Sequence, residues 1–268
     1  MRKPVLLAAF FALTSLAAGF FSVAAVPVAA QSGSFTIAQN GKPVGTAEFN
    51  FAATPRGYDS TSVVHLDMKG LNYSLSKTET LSSANHLRHV QVSAILNNVA
   101  VNVTAAPDAA QFLLNVSAGG KSSTARLTLH PGAVFLPDFD PGALETLLAL
   151  AVTHNNRNLW AIVPKQSTGP DGTVQAGSIA SIELATYADE QGTLDSKPIT
   201  VHHLVANMGG AKTELFSGPE NQLLQAELPK PGFALVRNGF VLTPPAKPGA
   251  PPVQPAPAAE PAPAPVQQ

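Results

Sequence analysis

Short runs in which apolar and polar residues alternate, each closed by Gly, Pro, Asn or Asp, recur along most of this chain. Phe35 and Ile37 lead into Asn40-Gly41, a pair that tolerates positive φ and so marks a tight hairpin. Ala47, Phe49 and Phe51 then share a face, and Pro55-Arg56-Gly57 turns the chain. Val63 to Met68 is closed by Lys69-Gly70, after which Leu71, Tyr73 and Leu75 alternate with Asn72, Ser74 and Ser76. The pattern continues through Val90, Val92 and Ala94, through Val99, Val101 and Val103, and through Phe112 to Val116. Ala125, Leu127 and Leu129 alternate with Arg126, Thr128 and His130. Further on come Leu159 to Val163, Ile179 to Tyr187, and Ile199 to Val205. Leu215-Phe216 and Leu223 to Leu228 flank Ser217 to Asn221, a natural hairpin. A period of two with one dry and one wet face means antiparallel strands. About ten or more strands predict a mainly β fold, a curved antiparallel sheet or half-open barrel.

One segment breaks the rhythm. Leu144, Leu147, Leu148, Ala151 and Val152 recur at helical spacing. Asp140 is a good N-cap, Pro141 suits the first helical position, and Glu145 is read as a favourable first-turn charge. Asn155-Asn156 ends the pattern. The expectation is a single amphipathic helix over Ala143 to His154.

The two ends are set apart by composition. Arg2 and Lys3 precede an almost wholly apolar run from Val5 to Val23, then Pro27 and the small residues Val28, Ala29 and Ala30. That order reads as a secretory signal cleaved after Ala30, the alternative being an anchor, since such a run approaches the ~20 residues that span a bilayer. Residues 243–268 are mostly Pro and Ala, a composition with little to bury, and are expected to form a disordered, extended tail. The β-rich domain is thus 31–242, and its location periplasmic or secreted. No cysteine is present, so neither disulfides nor a lipid-modified cysteine is available. Without Arg2 and Lys3 the 16 basic residues fall to 14 against 17 acidic ones, a net charge of about −3. That balance predicts no nucleic-acid footprint and no basic face for anionic lipid. After signal cleavage no integral membrane domain is expected.

Reactive constellations are thin. His86 and His89 approach a strand with no carboxylate in helical reach, and His202 and His203 fall on opposite faces of one strand. No metal site and no cofactor are expected. Asp138 and Asp140 are explained by helix capping, and Asp189-Glu190 reads as a solvated turn before Gly192. No Gly-x-Ser-x-Gly elbow or phosphate-binding glycine loop occurs.

The order of elements resembles that of periplasmic half-open β-barrel families, similar in shape to the lipoprotein-carrier proteins. Gly41-Lys42-Pro43-Val44-Gly45-Thr46 is similar to their opening hairpin, Leu144 to Val152 to their mid-chain Leu-rich segment, and Leu215 to Pro229 with Arg237 to their closing strands. The resemblance implies a fold, but no catalytic residues.

What stands out is apolar surface. A helix lying across a curved sheet can leave an apolar cleft between them. The expected function is a non-enzymatic exported binding or carrier module for a lipid or other apolar or amphipathic ligand. Leu144, Leu147, Leu148 and Val152 would line the cleft from the helix, facing Phe112, Leu114, Leu127 and Leu129. The alternatives are an envelope scaffold that binds a protein partner through its sheet edges or tail, and a hydrolase with a nonlocal Ser, His and acid.

Overall fold

The computed structural model describes residues 31–168 and 174–244. The expected signal segment, 1–30, and all of the expected tail beyond residue 244 lie outside the described residues. A meander of eight antiparallel strands opens the fold. It comprises β1 (Ser32–Gln39), β2 (Lys42–Thr54), β3 (Gly57–Met68), β4 (Leu71–Ser82), β5 (Leu87–Leu96), β6 (Val99–Asp108), β7 (Gln111–Ala118) and β8 (Lys121–Thr128). Short β9 (Ala133–Phe135) leads into the helix α1 (Pro141–Thr153). A second run follows: β10 (Leu159–Thr168), β11 (Val174–Thr186), β12 (Glu190–Leu194), β13 (Lys197–Met208), β14 (Ala211–Ser217), β15 (Leu223–Glu227), β16 (Phe233–Arg237) and β17 (Phe240–Leu242).

All seventeen strands belong to one sheet, in which β9 and β10 form a parallel pair. The two runs are joined at β1, whose edges pair with β2 on one side and β16 on the other. Far along the sheet, β7 and β8 come against β10 and β11, so the sheet is strongly curved but not closed into a barrel. Alternation decides which faces turn inward. In β3, Ser60, Ser62, Val64 and Leu66 are buried while Thr61, Val63, His65 and Asp67 are exposed. Tight turns fall where residues with positive φ are available, at Asn40-Gly41, Asn97-Asn98 and Gly119-Gly120.

The main core fills the concave side and includes Phe35, Ile37, Leu114, Phe135, Leu147 and Leu215. A second, smaller core of Val201, Phe216, Leu224 and Phe240 packs beneath the β12–β17 ribbon. Asp189 is exposed in the link before β12, as a solvated turn requires, but Glu190 is half-buried. Glu190 opens β12, held there because Gly192 pairs with both Ile199 and Leu242.

The helix begins as expected. The Asp140 carboxylate accepts from Gly142 N at 2.9 Å and Ala143 N at 3.3 Å, with Pro141 at the first helical position. It ends as His154 N donates to Leu150 O at 2.8 Å and Asn155 and Asn156 adopt positive φ. Burial, however, runs round nearly the whole helix. Every residue from Pro141 to Leu148 is buried, and so are Leu150 and Ala151. A helix apolar on all sides belongs inside a core, and α1 packs against β2, β3, β9, β10 and β15. Glu145 lies beyond the first turn, and burial rather than the helix dipole governs it.

Candidate functional site

The expected lining residues separate into three groups. Leu144, Leu147, Leu148, Phe112 and Leu114 are buried in one hydrophobic cluster, each no more than 4% exposed. Leu127 and Leu129 are half-buried against its margin. Val152 is 61% exposed and lines nothing, which corrects its expected place. It lies on the single turn of α1 that emerges from the core.

Of these residues Leu144 alone reaches a crevice of about 110 Å³ at the N-terminal end of α1. Its apolar walls are Leu136, Phe139, Leu144, Val163, Met208 and Leu228, with Asp138 and Lys230 at the mouth. Phe139 holds the strained position, with φ of +61°. A bulky side chain in that region costs roughly 1–3 kcal/mol and persists only where its surroundings fix it. Here Tyr73 lies 6.0 Å away and Phe233 5.1 Å away, ring centroid to centroid. The Lys230 ammonium stands 4.9 Å over the Phe139 ring and 2.5 Å from the Asp138 carboxylate.

Directly behind this wall is a buried polar node. Lys77 Nζ lies 2.7 Å from Asp140 Oδ2 and 3.1 Å from Glu79 Oε2, and none of the three side chains is exposed. Lys77 and Glu79 face inward because they share the parity of Leu75 and Leu81 on β4. Across the strand pair Ser62 stands opposite Lys77 and Ser60 opposite Glu79. The helix seats close on the node: a Cβ added at Gly142 would clash with Ser62 Oγ. Burial disfavours the Lys77 ammonium, but the adjacent Asp140 and Glu79 carboxylates outweigh it and hold its pKa above the ordinary value. Burial pushes Glu79 up against the pull of Lys77, and the charge of Asp140 adds to the rise. Burial raises Tyr73 as well, with Asp138 and Asp140 adding to it.

A second anchor lies on the opposite side of α1. Glu145 Oε2 accepts from Leu223 N at 2.7 Å. Burial pushes its carboxyl up to about 7, against the opposing effects of that N–H and of Arg237. Arg237 donates to Leu223 O at 3.1 Å and to Ser32 O at 2.6 Å, tying β15 to the start of β1.

The histidines are dispersed. His86 lies beside His154 with ring centroids 5.8 Å apart and planes tilted by 41°, and burial and that neighbour both lower its pKa. His202 Nδ1 lies 2.9 Å from Asp189 Oδ1. His203, sandwiched between Tyr187 and Phe216, has Nδ1 3.1 Å from Glu190 Oε1. Among the described residues no three or more His, Asp or Glu side chains are grouped to hold a metal ion, and no helix is long and apolar enough to cross a membrane.

Sequence reasoning did not follow the alternation of β4 past Leu75 to Lys77 and Glu79. Strand parity was the signal that placed them inside. No protein-family model and no curated protein matches the chain. One solved structure, a DUF1089 family protein from Pseudomonas aeruginosa, is similar over 69% of this chain and 89% of its own. Its TM-score is 0.36 at 10% identity, and a likeness that slight carries no argument about fold or function.

Proposed function

We propose that this chain is an exported, non-enzymatic binding or carrier module for an amphipathic ligand, and that the crevice beside Phe139 receives the ligand's apolar end. The observation that carries this reading is the crevice itself: apolar walls, an ion pair at its mouth, and a strained aromatic residue held in place to form one side. Size limits the occupant. At about 110 Å³ the crevice is smaller than a cavity of about 150 Å³ that takes benzene, so it accepts a few carbons. The polar remainder of the ligand then meets Lys230 and Asp138. The similarity of the opening hairpin and closing strands to those of lipoprotein-carrier-shaped families supports the same reading. So does the curved sheet around one helix.

Native mass spectrometry of the chain purified from the envelope tests for a co-purified lipid. A fluorescent acyl probe tests the crevice. Filling it with Met208→Trp should weaken probe binding severalfold while leaving the melting temperature near that of the wild type. Equal probe binding by both proteins, or none by the wild type, overturns the proposal.

A further inference from the structure

Five of the six exposed lysines among the described residues gather at one rim. In an antiparallel meander alternate turns lie at the same end of the sheet. The β1–β2, β3–β4, β5–β6 and β7–β8 turns therefore form one rim. The β13–β14 and β15–β16 turns join it, because β16 runs antiparallel to β1 and Asn40 N donates to Gly232 O at 2.7 Å. These turns carry Lys42, Lys69, Lys121, Lys212 and Lys230, all exposed. Of the other described lysine side chains, Lys77 is buried and Lys197 lies at the opposite rim. Five carboxylates of the described residues, Asp67, Asp138, Glu183, Glu214 and Glu227, lie within a few residues of the lysine rim, and Asp138 is already paired with Lys230. The opposite rim holds Asp108, Asp195 and Glu220 at its turns.

The β5–β6 turn has no lysine. Instead Ile95, Leu96 and Val99 flank Asn97-Asn98 and are 46%, 43% and 44% exposed. The crevice opens at this same rim, since Met208, Leu228 and Lys230 belong to its turns.

We infer that this rim docks the protein on a membrane surface bearing anionic headgroups, with lysines facing phosphates and the Ile95–Val99 tip entering the boundary of the acyl region. Charge and apolar insertion together are what hold a peripheral protein on a bilayer. A protein partner fits less well. Protein interfaces are enriched in Arg, Tyr and Trp and depleted in Lys, whereas the described residues at these turns supply lysines and aliphatic side chains and no arginine. The inference goes beyond the carrier reading, because the rim binds lipid surface whether or not the crevice takes a ligand.

Flotation of the full chain, purified as the cell produces it, tests the inference with vesicles of phosphatidylcholine alone and of phosphatidylcholine mixed in equal parts with phosphatidylglycerol. Binding is expected on the mixed vesicles, falling as salt is raised. Each lysine near such a surface is worth about fivefold in affinity. The triple variant Lys42→Gln, Lys69→Gln, Lys121→Gln should therefore bind about a hundredfold more weakly, while Lys197→Gln binds like the wild type. Ile95→Ser with Leu96→Ser should also weaken binding to mixed vesicles. The salt series on the wild type needs no variant to fold. No binding to mixed vesicles, binding indifferent to salt, or a triple variant that binds like the wild type each overturns the inference, and none of these outcomes bears on probe binding in the crevice.

Discussion

Lys77 stands with Glu79 and Asp140 where a purely apolar strand face would have packed against α1. A buried ion pair is weak as a source of stability but costly to break from one side, since the partner charge is left stranded. Lys77→Met should therefore destabilise the fold by about 3–5 kcal/mol in urea titrations, because Asp140 loses its counter-charge. Glu79→Gln should cost less, since burial already holds that carboxyl towards its neutral form. Equal losses for the two variants would show that the charge is shared differently. Glu145 gives a separate prediction in pH. Folded, it binds a proton up to about 7, against an ordinary value of 4.5. Its contribution to stability is full below about 4.5 and is lost as pH rises through about 7. Integrated over that window the loss is about 3 kcal/mol. Glu145→Gln keeps an acceptor for Leu223 N–H and removes the titration. The difference in unfolding free energy between variant and wild type should therefore grow in the variant's favour from pH 4.5 to 7 and then level off.

The helix and the strands were legible to different degrees. Alternation marked most strands, and Asp140, Pro141 and Asn155-Asn156 marked both ends of α1. Its surroundings were not legible, because local spacing describes one face of a helix and cannot say what covers the others. Leu144, Leu147 and Leu148 read as one wall of a cleft, yet the curved sheet wraps that face and its flanks alike. A buried plug and a surface lid differ in their response to truncation. Leu147 is 1% exposed, so Leu147→Ala should cost about 2–5 kcal/mol, the range for a cavity in a core that relaxes poorly. Val152, 61% exposed on the same helix, should change stability by less than about 0.5 kcal/mol when made Ala. A small loss at Leu147 would mean that the helix is free to leave the sheet. The Asn97-Asn98 turn was also missed, because two asparagines inside a Val-rich stretch carry a weaker cue than Asn-Gly.

At the scale of the molecule, net charge gives a total and topology decides where the charges lie. The net charge of about −3 says nothing of placement: turns distant in sequence meet at one rim once the meander forms, and Lys42, Lys69, Lys121, Lys212 and Lys230 meet with them. Topology also makes β1 the joint of the structure. It pairs with β2 through a two-residue turn and with β16 some two hundred positions later, as in Phe35↔Arg237. Arg237 reinforces that long closure by donating to Ser32 O and Leu223 O. Without β1 the two runs of the sheet would each present a free edge, from β2 and from β16, and the Phe35 and Ile37 part of the core would open. Unpaired edges with apolar faces template association with other chains. Deleting residues 32–40 from the β-rich domain should therefore do more than trim one strand. Analytical ultracentrifugation should show concentration-dependent oligomers, and thermal unfolding should lose its single cooperative transition. A monomer that melts near the wild-type temperature would show instead that the two runs hold together through β7, β8, β10 and β11 on the far side of the curve.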